Sequence, residues 1–217
     1  MFLTDAHTHR IPPEENTLAL IDLNPGEMPE KTAENMLFSC GIHPKEQGLF
    51  TLSGLRESLR KNRCSAVGEC GLDASLPLPA DVQEKLFRNQ IAISEELKLP
   101  LIVHCVRRYY DLIRLRKGSN AAMPWIVHGF RANEQIGEAL IRSGMKLSLS
   151  PVWLLHQTLF PDWLDDRAFL LETDECAIPL QDIYAHAAKL RGETVEELAR
   201  LVRRNSTDAF GPGQVRK

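Results

Sequence analysis

At 217 residues, with 43% hydrophobic and 25% charged side chains, the chain holds one domain with a sizeable core. A net charge of −3 excludes a protein that coats nucleic acid through a global basic field, but leaves room for an enzyme that grips one strand end. Five cysteines without a CxxC pair argue against a disulfide framework or structural zinc knot, and no apolar run approaches the roughly 18 residues of a membrane span, so a reduced, cytoplasmic protein is expected.

The predicted elements follow in chain order. Phe2–Thr8 reads as a strand, and Asp5, His7 and His9 come at alternating positions, so they share one face. Thr17–Leu23 and Met36–Ile42 read as the next two strands. The spacers before them are too short for full crossover helices, which usually need a dozen residues or more. Ser65–Cys70 is the fourth strand and ends near Glu69. Asp81–Leu97 is a helix with Val82, Leu86, Ile93 and Leu97 on one stripe, stopped before Pro100. Leu101–Val106 carries His104, and Trp125–Phe130 carries His128. A helix over Glu134–Ser143 ends at Gly144, and strands Lys146–Ser150 and Phe169–Thr173 follow, the last leading into Asp174. Thr194 and Glu197 form a capping box for a final helix with Val195, Leu198 and Val202 on one face.

Eight buried, mostly parallel-type strands predict an α/β fold, a (β/α)8 TIM-type barrel. It should be shortened and distorted, with helices missing among the first strands. Residues 1–210 are expected to form this single domain, and 211–217 a flexible tail.

The ionisable residues concentrate at strand ends. His7, His9, Glu69, His104, His128 and Asp174 all fall at the C-terminal end of a strand, the face where barrel enzymes place their chemistry. Each alone has an ordinary explanation as a core or capping residue. Six such groups converging would bury too much unpaired polarity without a compensating cation. Four imidazoles and two carboxylates suit Zn²⁺, Mn²⁺ or Fe²⁺ better than Mg²⁺, and six ligands suit two metals sharing a carboxylate.

These residues sit in motifs that resemble the TatD family of metal-dependent deoxyribonucleases, within the amidohydrolase-like barrels. DAHTH resembles the opening DxHxH, GIHP at Gly41–Pro44 the GxHP motif, and GECGLD at Gly68–Asp73 the GEIGLD motif. PLIVHC, IVHGF and LLETD resemble the later metal motifs, and Asn205 with Phe210 the terminal Asn-x4-Phe. The resemblance implies that His7, His9 and Asp174 hold one metal, His104 and His128 the other, and that Glu69 bridges them. It implies further that Asp5 fixes an imidazole tautomer from behind and that His43 lies near the scissile phosphate.

The implied reaction is hydrolysis of a phosphodiester end by a water activated between two divalent ions, with Asp174 as a candidate proton acceptor. Two departures touch the substrate side. Val106 stands where the family has Arg, and His128 is followed by Gly129-Phe130-Arg131 rather than the usual Cys-Phe-Ser-Gly. Arg107 and Arg131 are candidates to supply the missing charge. The alternative is an acyl-ester or amide hydrolase, such as a D-aminoacyl-tRNA deacylase; a metal-binding scaffold without catalysis is the third reading. A nucleic-acid end or a small ester is thus the expected substrate, with no membrane and no obligate protein partner.

Overall fold

The computed structural model describes residues 2–11, 13–29 and 32–211. Eight parallel strands follow one another in chain order around a single sheet: β1 (Leu3–Thr8), β2 (Thr17–Leu23), β3 (Met36–Cys40), β4 (Ala66–Asp73), β5 (Leu101–Val106), β6 (Trp125–Phe130), β7 (Met145–Leu149) and β8 (Phe169–Leu171). A parallel bridge between Thr8 and Asp174 brings the last strand back to the first. The barrel therefore closes at the C-terminal ends of its strands, beside the first histidines.

Among the described residues, seven α-helices lie between or after the strands: α1 (Leu52–Lys61), α2 (Ala80–Leu97), α3 (Tyr109–Gly118), α4 (Glu134–Arg142), α5 (Pro151–Leu155), α6 (Leu180–Arg191) and α7 (Val195–Phe210). The strands are buried along most of their length because helices or connecting chain cover their outer faces. α2 places Phe87 against Trp125 at a ring distance of 5.3 Å. Asn205 of α7 donates to the carbonyls of Asp166 and Phe169 at 2.6 and 2.9 Å, pinning the last helix to the start of β8. The Thr194–Glu197 capping box is present at the start of α7.

Among the described residues, no helix separates β1 from β2 or β2 from β3. The expected loss of helices in this quarter is present, and Thr17–Leu23 pairs in the barrel with both neighbours. Part of the vacated outer layer is taken by the chain after β2. There Gly26 N–H donates to Ser58 Oγ at 2.9 Å, and Asn62 Nδ2 donates to the Glu27 carbonyl at 2.8 Å, tying the segment to α1. Among the described residues, no helix is long and apolar enough to cross a membrane. The expected tail falls, beyond Gly211, outside the described residues.

Candidate metal centre

Three strands carry a register irregularity, and each falls at a residue singled out above. β1 gains a residue on β2 between Asp5 and Thr8, around His7. β4 does so against β5 between Val67 and Cys70, around Glu69, and β6 against β7 between Val127 and Phe130, around His128. A bulge re-aims a side chain that strict alternation would direct elsewhere. In β4 it is flanked by Gly68 and Gly71, both at positive φ (142° and 151°). A Cβ at Gly68 would collide with the Ile102 carbonyl, and one at Gly71 with the His104 carbonyl. Glycine thus lets β4 approach β5 closely enough to set Glu69 beside His104.

Of the seven histidines, five gather at this end: His7, His9, His43, His104 and His128. Glu69 is the hub. Its Oε1 lies 2.7 Å from His104 Nδ1, 2.8 Å from His128 Nε2 and 3.5 Å from His43 Nε2. Its Oε2 is 3.9 Å from the Nε2 atoms of His7 and His9. Asp174 Oδ1 completes the ring at 3.8 Å from His7 and 3.6 Å from His9. Burial works against the Glu69 charge, yet His128, His104 and His7 more than offset it and hold the carboxyl well below the usual range.

The centre has a dry floor and an open edge. The side chains of His7, His128 and Glu69 are 1%, 7% and 11% exposed, whereas those of His9 and Asp174 are each 35% exposed. Asp174 adopts φ 51°, a left-handed conformation that Asp tolerates better than most residues. Its N–H donates to the His7 carbonyl at 3.0 Å and its carbonyl accepts from His9 N–H at 3.4 Å, so barrel closure sustains that backbone.

The donor set fits a cation. Both ring nitrogens of His7 are buried and make no hydrogen bond, a state buried imidazoles avoid unless something takes the lone pair. Three groups have donor atoms close enough to share an ion: His7, His128 and Asp174; His7, His9 and Glu69; and His43, Glu69 and His104.

Outer partners are present that sequence reasoning did not single out. Asp73 Oδ2 lies 3.0 Å from His104 Nε2, while its Oδ1 accepts from Ser75 N–H and Oγ–H at 2.7 and 2.5 Å. It therefore fixes the His104 ring with Nδ1 turned to Glu69. Glu172 is wholly buried behind His128, 3.9 Å from its Nδ1, and accepts Gly129 N–H at 2.6 Å; burial pushes its carboxyl up to about 8. Asp22 of β2 accepts from Ser39 Oγ–H at 2.8 Å and from the Glu69 backbone, and burial aided by the Glu69 charge pushes it up to about 7.

Asp5 departs from its expected contact. Its carboxylate accepts Thr173 N–H at 2.9 Å and Thr173 Oγ–H at 2.7 Å, together with the backbone of His7, and so braces β1 against the end of β8 instead of holding an imidazole. His43 lies in the cluster. Lys45 N–H donates to its Nδ1 at 3.0 Å, so the neutral ring carries its proton on Nε2 and presents a donor toward Glu69. Arg107 and Arg131 are exposed and make no ion pair among the described residues. They stand on the loops after β5 and β6, outside the dry floor.

A family model described as TatD related DNase matches residues 23–211. The chain belongs to the TatD family. Identity to the protein described as uncharacterized metal-dependent hydrolase YcfH of Escherichia coli K12 is 28% over 200 residues, covering 82% of this chain and 74% of that one. The protein described as uncharacterized metal-dependent hydrolase YabD of Bacillus subtilis is 31% identical over 196 residues, covering 79% of this chain and 76% of its own. The 3′-5′ ssDNA/RNA exonuclease TatD of Pantoea vagans is 27% identical over 209 residues, covering 79% and 76%. The crystal structure of YJJV, a TatD homolog from Escherichia coli, superposes with a TM-score of 0.78 at 18% identity over 96% of this chain and 97% of that one, which places the fold in the TatD barrel. The chain is therefore a metal-dependent hydrolase of this family.

Proposed function

We propose that this TatD-family hydrolase cleaves phosphodiester bonds at nucleic-acid ends and leaves a 5′-phosphate. In this reading His7, His9 and Asp174 would hold one divalent cation, His104 and His128 would hold a second, and Glu69 would contribute its carboxylate to both. The observation that carries it is the ring of imidazoles and Asp174 around the buried carboxylate of Glu69. Imidazole-rich ligation favours Zn²⁺, Mn²⁺ or Fe²⁺ over Mg²⁺. Residues 1–210 act as one catalytic domain, and a cytoplasmic location accords with the free cysteines.

Bound divalent cations supply a lowered pKa for water and charge to screen a phosphodiester. The remaining work falls to the chain. Asp174, half open to solvent, is placed to accept the proton that an attacking water loses. His43 Nε2–H offers a hydrogen bond beside Glu69. Asp73 keeps His104 from rotating, and Asp5 with Thr173 keeps β1 and β8 from parting. Arg107 and Arg131 grip the phosphate in place of the residue that Val106 replaces.

The test compares single-stranded DNA with D-aminoacyl-tRNA as substrate, each with and without added Mn²⁺ or Mg²⁺. Mononucleotide release that depends on the metal is expected. Hydrolysis of the aminoacyl ester alone would transfer the same centre to the acyl-ester reading.

A further inference from the structure

The face that α2 buries is partly polar. Its buried positions are Gln83, Phe87, Gln90, Ile91, Ile93 and Ser94, and the two glutamines are 1% and 0% exposed. Gln83 and Gln90 stand about two helical turns apart and so share one side of α2. A helix that only packed there would bury apolar side chains, because a buried amide is costly unless its groups are paired.

Both amides are paired, and in the same way. Gln90 Oε1 accepts Ile42 N–H at 2.8 Å, and its Nε2 donates to the Ile42 carbonyl at 2.9 Å. Gln83 Oε1 accepts Asp73 N–H at 2.7 Å, and its Nε2 donates to the carbonyls of Asp73 and Leu78 at 2.9 and 3.0 Å. Each amide thus takes both backbone groups of one residue, as a neighbouring strand would. The sheet explains why a side chain does this work. β3 pairs with β4 only at Ser39–Ala66 and Cys40–Val67, yet β4 runs on to Asp73. On its other side β4 still has β5, where Asp73 stands opposite Val106 and Ala74 N–H meets the Val106 carbonyl. Beyond the end of β3, α2 supplies the partner that the barrel lacks.

We propose that Gln83 is a positioning residue for the metal centre. It clamps the Asp73 backbone, so that the Asp73 carboxylate meets His104 Nε2 at 3.0 Å and leaves Nδ1 turned to Glu69. A carboxylate can orient a ring only if its own main chain is fixed, and the end of β4 is fixed on this side by the Gln83 amide. Gln90 makes the matching clamp on Ile42, one residue before His43, and so serves the other loop. This inference rests on the reading of His104 as a metal ligand and adds the residue that sets the partner behind it.

The test measures Zn²⁺ affinity by chelator competition in the parent, Gln83→Met, Asp73→Ala and the double variant, and in the same set built with Gln90→Met. Methionine keeps the length of glutamine but makes neither bond. Gln83→Met should weaken Zn²⁺ binding about tenfold in the parent and leave it unchanged in the Asp73→Ala background. Whatever Gln90→Met does should be the same in both backgrounds, because its clamp does not act through Asp73. Circular dichroism checks folding; should Gln83→Met not fold, Gln83→Asn, whose amide falls one methylene short, takes its place in the cycle. No loss from the Gln83 variant, or an equal loss in both backgrounds, would make Gln83 a support of the fold alone and overturn the inference while His104 stays a ligand. His104→Ala with undiminished Zn²⁺ affinity would overturn the ligand reading itself.

Discussion

The floor and the rim of this site are built on opposite principles. The floor is buried, crowded with groups that answer one another, and fixed by partners behind it: Glu69 among its imidazoles, Asp73 behind His104, Thr173 holding Asp5. The rim is exposed, and Arg107 and Arg131 on the loops after β5 and β6 make no ion pair among the described residues. Buried polarity must be satisfied in one arrangement or the fold is destabilised, whereas exposed charge is solvated in many. In the proposed reading the reaction chemistry belongs to the floor, and the choice of substrate to the rim.

That contrast can be broken or sharpened by mutation. The largest effect is expected at the hub. Glu69→Ala should abolish nearly all hydrolysis and much of the metal content, a loss beyond the roughly ten- to hundredfold typical of outer partners. Elemental analysis alongside turnover checks it, and a variant with two metals and full activity would separate Glu69 from the centre. Next comes Asp73→Asn, which weakens the acceptor that orients His104. Metal affinity or activity should fall about ten- to hundredfold, with thermal stability changed much less. An unaltered metal titration would mean that His104 needs no partner behind it.

Rim variants should behave differently. Arg107→Ala or Arg131→Ala should lower kcat/KM on DNA ends about ten- to a hundredfold, from the loss of a charge-assisted contact of about 1.5–3 kcal/mol. Metal content should not change, because neither arginine belongs to the ligand cluster. Parent-like DNA cleavage by both variants would make them solvated surface charges and favour the acyl-ester reading.

The same division governs what the sequence disclosed. The apolar runs located all eight strands, because buried parallel strands need near-continuous hydrophobicity, and the short spacers disclosed the missing helices. Ligand-type residues were legible because His, Glu and Asp after such runs have few other uses in concert. The bulges at His7, Glu69 and His128 were not legible, since a strand with one extra residue reads as an ordinary run. Ending the fourth strand at Cys70 also hid Asp73. β4 continues to Asp73, and period-2 spacing from Glu69 through Gly71 puts Asp73 on the same face. α3 was missed for a related reason: its first turn, Tyr109-Tyr110, has no capping side chain to announce it. Asp5 was placed behind an imidazole by resemblance, but Thr173 offers it two donors.

The shared carboxylate is the central claim, and anomalous X-ray scattering tests it most directly. Crystals of protein purified without chelator and supplied with Mn²⁺ or Zn²⁺ should show two anomalous peaks about 3.5–4 Å apart, one on each side of Glu69. One peak should lie toward His7, His9 and Asp174, and the other toward His104 and His128. A single peak, or two peaks with Glu69 bound to neither or to only one, would contradict the account.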